Sequence, residues 1–329
     1  MRYKPLLVLT AVLPAIAALF LIANMMKLPS PVGEASRDDR PVVGYVETES
    51  DGVWWDNVNA SIRRAAEERD IQLIVIPCDH TQESQKEAIR SLIAYRADVI
   101  IFTPVLKTGW SNVILEAERE GIPILTFMER LSAEAETGSL AYIGPSYEEL
   151  GQKAKAFIAD RFKRRAEPVR FAELCGPVGS YSSITIRGEL RKGLRSYANS
   201  EIVLTVSAEN MASKAEEALS SFLISRKGRD LPDVVFAFND SMTSGAVKAI
   251  EKNGLLPDRD ILILSFGGGD EAEALLKEGR ISWLFSVEPD CGPKVLDRAL
   301  TLMDGKPFDT YLHTEILTVS QDTPSEGGA

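Results

Sequence analysis

Carboxylates, amides and tryptophans collect just after short apolar runs in this chain. Ser50, Asp51, Trp54 and Trp55 follow residues 42–46, and Glu129 and Arg130 follow residues 124–127. Asn239 and Asp240 follow residues 234–238, and Glu288 follows residues 283–287. These groups together suit one task, the holding of a polyhydroxylated molecule. A ring covers the apolar face of a sugar, while carboxylate, amide and guanidinium groups make paired hydrogen bonds to its hydroxyls. Catalysis fits less well. There is no candidate nucleophile–base pair, and His80 and His313 sit in ordinary contexts, although His80 follows an apolar run on the side where a ligand would lie. Cys78, Cys175 and Cys291 are far apart and lack C-x-x-C spacing. Their odd number leaves at least one thiol unpaired, and they are expected as small buried residues. Neither histidine has ligand spacing to them, so no metal and no cofactor is expected.

Charge narrows the partners. The net charge is -11; residues 1–27 carry Arg2, Lys4 and Lys27 and no acid, so the remainder carries -14. A body this acidic is repelled by phosphate backbones, which argues against nucleic acid. Residues 5–26 form a 22-residue run without a charge. Residues 1–27 read either as a signal peptide cleaved near Gly33-Glu34-Ala35 or as a retained membrane anchor, and both stay open. With the basic end inside, either places the body outside the cytoplasm. No cysteine stands in residues 1–40, which excludes a cysteine-linked lipid anchor. Residues 28–40 read as a linker and 321–329 as a disordered tail.

The elements that must position these groups alternate. Runs at 42–46, 73–76, 99–102, 124–127, 169–174, 202–206, 234–238, 261–266 and 283–287 are mostly continuous Val/Ile/Leu/Phe, as in parallel strands buried on both faces. Between them, residues 82–96, 147–162 and 240–253 show helical periodicity. Ala88, Ile89, Leu92 and Ile93 share one face in the first of these. A chain of 329 residues exceeds what one core usually serves. The expectation is an α/β architecture whose ligand lies beyond the strands' carboxyl ends.

Three stretches carry a resemblance: VVFAFNDSMTSGAVKAIEKNGLLPDRDILILSF, GIPILTFMER and SLIAYRADVIIFTPVLKTGWSNVILEAEREGIP. With them the chain, over roughly residues 41–320, resembles periplasmic sugar-binding proteins of the ribose/galactofuranose type, the type I receptors of ABC transporters. Thr108-Gly109-Trp110 and the segment from Ser50 to Trp54 look closest to the galactofuranose branch. The resemblance implies two doubly wound parallel-sheet lobes joined by a three-segment hinge that closes on the ligand. The crossings would fall near residues 142–145, 287–289 and 311–315. The first lobe would then hold 41–144 plus 289–312, and the second 145–288 plus 313–320. It also implies a monomeric binder of one small polar ligand, a monosaccharide, presented to the membrane permease of an ABC importer. A membrane-anchored sensor subunit, presenting ligand state to a histidine kinase or chemoreceptor, is the alternative. A repressor of the same fold would need a basic headpiece, where this chain has an apolar segment.

Carried over residue by residue, the resemblance makes Trp54 the stacking aromatic, with Trp55 beside it where the galactofuranose branch has arginine. Asp51 matches an acidic position. Glu129-Arg130 stands for the family's Asp-Arg pair, and Arg187 for the ligand arginine after Gly176-x-x-Gly179, with Arg191 as a second choice and Tyr181 lending a ring. Asn239 matches the ligand asparagine, with Asp240 expected as the helix cap. Glu288 matches a Gln or Glu at the second crossing. Gly267 departs from the family, which usually has aspartate directly after that strand. Asp270, three residues on, is expected to cap the next helix.

Overall fold

A computed structural model describes residues 40–48, 52–132, 140–195, 200–226, 228–306 and 309–320. The expected leader, the linker up to residue 39, Asp51 and the tail lie outside the described residues. No helix among the described residues is long and apolar enough to cross a membrane.

Strands and helices alternate from the start. The first lobe runs β1 (Val42–Thr48), α1 (Val53–Glu68), β2 (Gln72–Cys78), α2 (Gln82–Ala94), β3 (Val99–Phe102), α3 (Ser111–Arg119), β4 (Ile124–Phe127) and β5 (Leu140–Pro145). The second runs α4 (Tyr147–Arg161), β6 (Val169–Cys175), α5 (Tyr181–Arg195), β7 (Ser200–Ser207), α6 (Ala212–Arg226), β8 (Val234–Ala237), α7 (Asp240–Lys252), β9 (Leu262–Gly267), α8 (Asp270–Lys277) and β10 (Trp283–Ser286). The chain then returns to the first lobe with α9 (Gly292–Met303), which packs on α1, and β11 (Tyr311–Thr314). It ends in the second lobe with β12 (Leu317–Ser320).

The sheet orders are β2-β1-β3-β4-β5-β11 and β7-β6-β8-β9-β10-β12, the same doubly wound arrangement twice. All pairs are parallel except β10 with β12. The chain therefore crosses between sheets three times, after β5, after β10 and after β11. His313 and Thr314 pair with Gly144 and Pro145 in the first sheet, so the last crossing lies beyond Thr314 and not at residue 312.

The continuous apolar runs are explained by covering helices. Every residue of β3, β4 and β8 is buried, so none of these strands has a solvent face to mark with polar residues. Phe102, Phe127, Phe171, Phe236 and Phe285 are fully buried, each worth roughly 1.5–3 kcal/mol in water-avoided surface. Helix starts follow local chemistry: the Thr81 hydroxyl accepts from the Ser84 N–H at 3.2 Å, and Ser146 from the Glu149 N–H at 3.2 Å. All three cysteines are buried and none is disulfide-bonded. Burial pushes the thiols of Cys175 and Cys291 up to about 12.

In both sheets strand order reverses at one place, between β1 and β3 and between β6 and β8. Loops on the two sides of such a switch point diverge and leave a crevice at the strands' carboxyl ends. The segments after β1, β3, β6 and β8 supply much of the wall described next.

Candidate functional site

A cavity of about 140 Å³ lies between the lobes. One water requires roughly 10–15 Å³ by the same measure, so the space suits about ten small groups, the scale of a monosaccharide. Trp54, Trp55, Thr103, Met128 and Glu129 line it from the first lobe, with His80 at its wall. Ser182, Asn239, Asp240, Phe266, Gly267 and Glu271 line it from the second.

Trp54 is buried and its indole N–H donates to the Val287 carbonyl at 3.1 Å, tying α1 to the second crossing. Trp55 meets it edge-on at 5.0 Å and Phe127 at 6.1 Å. One indole is thus spent on the hinge while both still present surface to the cavity.

The turn after β4 separates two adjacent residues. Met128 has φ of +61°, a left-handed conformation costly for a side-chain-bearing residue. It is held there because its N–H donates to the Ile143 carbonyl at 2.9 Å, and its own carbonyl accepts from the hydroxyls of Tyr142 at 3.3 Å and Tyr147 at 3.1 Å. The chain leaves this turn with Glu129 in the cavity and Arg130 outside it. The Arg130 guanidinium lies 3.7 Å from the Tyr311 ring and 5.8 Å from that of Tyr181. Of the expected pair, Glu129 thus lines this cavity and Arg130 a neighbouring space.

Glu129 reaches across the cleft. Its Oε2 accepts from the Ser182 N–H at 2.9 Å, at the start of α5. A carboxylate there meets unsatisfied backbone donors and the positive end of the helix dipole. The Lys107 N–H donates to the Gly179 carbonyl at 2.8 Å, a second bond between the lobes. Burial nevertheless dominates the Glu129 carboxyl and raises it to about 7, with bonds from Ser182 and the Tyr181 N–H opposing that rise.

On the opposite wall both neighbours line the cavity, and the cap expected of Asp240 is made by Asn239. Asn239, not Asp240, caps α7: its Oδ1 accepts from the Met242 N–H at 2.7 Å, and its Nδ2 donates to the Asn210 carbonyl at 3.3 Å. Asp240 instead turns into the glycine run after β9. It accepts from the Gly268 N–H at 3.2 Å and the Gly269 N–H at 3.0 Å. A Cβ built on Gly267, where φ is +157°, would stand 1.7 Å from the Asp240 Oδ1. Gly267 is small because Asp240 occupies its side-chain space. Burial raises the Asp240 carboxyl to about 6 against those two N–H bonds. Asp270 begins α8 and does not line the cavity, whereas Glu271 does, accepting from the Ser244 hydroxyl.

The remaining expected residues lie elsewhere. Arg187 is outside the cavity, its charge acting on the Cys175 thiol. Arg191 is engaged with the fully buried Glu173 at 2.6 and 3.2 Å. Tyr181 is buried, its hydroxyl donating to Glu148 at 3.2 Å, and it lines a second space with Arg130. Glu288 is exposed and accepts from the Asp290 N–H at 3.2 Å.

A family model described as a periplasmic binding protein domain matches residues 43–307. The chain belongs to this family. The galactofuranose-binding protein YtfQ of Escherichia coli (strain K12) is 26% identical over 297 residues, covering 90% of this chain and 87% of that one. The fructose import binding protein FruE of Bifidobacterium longum is 25% identical, covering 90% of each. Among solved structures, a Mycobacterium smegmatis protein in complex with β-D-fucofuranose is 29% identical with a TM-score of 0.80, covering 85% of this chain and 91% of that one. The periplasmic component of an arabinose ABC transporter from Shewanella sp. ANA-3, bound to L-arabinofuranose, is 28% identical with a TM-score of 0.79, covering 85% and 92%.

Within this periplasmic binding protein, sequence reasoning missed Met128, Thr103, Ser182 and Glu271 as cavity residues, and it placed Asp240 at the right strand end but as the helix cap. The missed residues depend on turns whose direction is set by partners distant in sequence.

Proposed function

We propose that this protein is an extracytoplasmic receptor that closes on one monosaccharide-sized polar ligand and delivers it to the permease of an ABC importer. The observation that carries the reading is the interlobe cavity, with indole surface on one side and hydrogen-bond acceptors from both lobes. The sugars named for the relatives support the ligand class, and the family supports a binder over an enzyme. A thermal-shift screen across pentoses, hexoses, furanoses, polyols and nucleosides tests it, because a ligand that binds only the folded state raises the melting temperature. If only non-carbohydrates shift it, the sugar reading falls and the receptor reading survives.

The 22-residue uncharged run at 5–26 favours a second reading, an anchored sensor subunit. N-terminal sequencing of the exported protein separates the two: a start near Ser36 supports import, and retention of residues 5–26 supports sensing.

A further inference from the structure

The charge of the cavity is one-sided. Glu129, Asp240 and Glu271 line it, and among the described residues no lysine or arginine does. Arg130, adjacent in sequence to Glu129, is stacked on Tyr311. Glu271 is exposed, but Glu129 and Asp240 are half-buried; carboxyl groups taken from water without a cation are costly, and such groups either take up protons or await an opposite charge.

These carboxyl groups keep acceptor capacity. A carboxylate offers about four lone-pair positions; among the described residues Asp240 accepts from the N–H groups of Gly268 and Gly269. Glu129 accepts from the start of α5 through Oε2. The two approach from opposite lobes, so a group held between them would be gripped only when the cleft is closed. Two further features of the same wall point to a ligand. The Thr103 Oγ1 is buried with no hydrogen-bond partner among the described residues. Trp54 and Trp55 place indole surface beside the acids, and an indole face attracts a desolvated cation as well as a sugar ring.

We infer that the ligand carries a protonated amine on its monosaccharide-sized frame, and that Glu129 and Asp240 hold that amine between the lobes. This rests on the sugar-receptor reading above and names the chemical class. An ammonium has three donors and no acceptor, so it matches a set of acceptors that a neutral hydroxyl fills singly. It also supplies the positive charge that the wall lacks. Its arrival favours the ionised forms of Glu129 and Asp240, whose carboxyls burial holds at about 7 and about 6. Binding at pH 6 therefore releases protons to solvent.

The test uses the purified full-length chain in mild detergent, with matched probes in calorimetry and thermal shift at pH 7.5: D-glucosamine against D-glucose, D-galactosamine against D-galactose, D-mannosamine against D-mannose, and putrescine alone. At least one amine should bind tenfold or more tighter than its neutral parent. The Glu129→Gln/Asp240→Asn double variant, isosteric and expected to melt within a few degrees of the wild type, should lose that advantage. Neutral sugars binding as tightly as their amines would overturn the inference and leave the sugar receptor standing. A shift with putrescine alone would overturn the monosaccharide frame. Silence from every probe would overturn the inference together with the hexose form of the sugar reading. An amine preference that persists undiminished in the double variant would overturn the assignment of these two residues.

Discussion

Replacing Gly267 by alanine puts a methyl group where the Asp240 carboxylate stands. The new Cβ would lie 1.7 Å from Oδ1 and 2.3 Å from Cγ, both far inside contact distance. The carboxylate must leave, and the N–H groups of Gly268 and Gly269 lose their acceptor near the start of α8. A charged hydrogen bond is worth about 1.5–3 kcal/mol, but rehydration of the displaced carboxylate returns part of it. A side chain at φ of +157° adds strain of about 1–3 kcal/mol. The expected destabilisation is about 2–4 kcal/mol, or roughly 3–7 °C in melting temperature for a protein of this size. Urea unfolding of Gly267→Ala, Asp240→Ala and the double variant forms a cycle. Deleting the carboxylate removes the clash, so the double variant should be more stable than the sum of the two losses by at least 1 kcal/mol. Additive losses, or a Gly267→Ala variant as stable as the wild type, would refute the claim that Asp240 fills the side-chain space of residue 267.

Further outcomes follow from the same geometry. Glu129 and Asp240 are raised above the ordinary 4.5 and 3.8, so between those values and about 7 and 6 the folded state binds more protons than the unfolded chain. Stability from this source is fully present at low pH and is lost as pH rises through about 6–7. Tyr142, Tyr147 and the Tyr181 and Ser182 N–H groups face the first group and Glu271 the second. The part of the difference in unfolding free energy between pH 5 and pH 8 that disappears in Glu129→Gln/Asp240→Asn should favour pH 5, by of order 1–2 kcal/mol after solvent screening. Arg191→Met leaves the buried Glu173 carboxylate, among the described residues, with only the Thr205 hydroxyl and should cost about 3–5 kcal/mol in chemical unfolding, with ligand affinity intact in the folded fraction. Arg187→Ala should leave affinity unchanged in calorimetry, because that side chain lies outside the cavity. Asn239→Ala should cost about 1 kcal/mol of stability through the lost cap and also weaken binding.

The architecture was legible along the chain because parallel strands covered on both faces leave unbroken apolar runs, and the helices between them repeat every 3.6 residues. Those patterns are local, and they located β3, β4 and β8 as well as the residues that follow them. Trp54, Trp55, Glu129 and Asn239 were found in this way and do line the cavity. The direction of each side chain was not local. Glu129 and Arg130 are neighbours, yet the Met128 turn, held by Ile143, Tyr142 and Tyr147, sends one into the cleft and the other onto Tyr311. Asn239 takes the cap and Asp240 turns into the cavity wall because Gly267, far along the chain, leaves room for a carboxylate. What the sequence by itself determined is therefore the repeated βα plan and the strand ends where ligand contacts gather, since both arise from periodicities of a few residues. Only the tertiary structure decided which charges face the ligand, because turn directions and shared side-chain space depend on contacts between segments far apart in the chain.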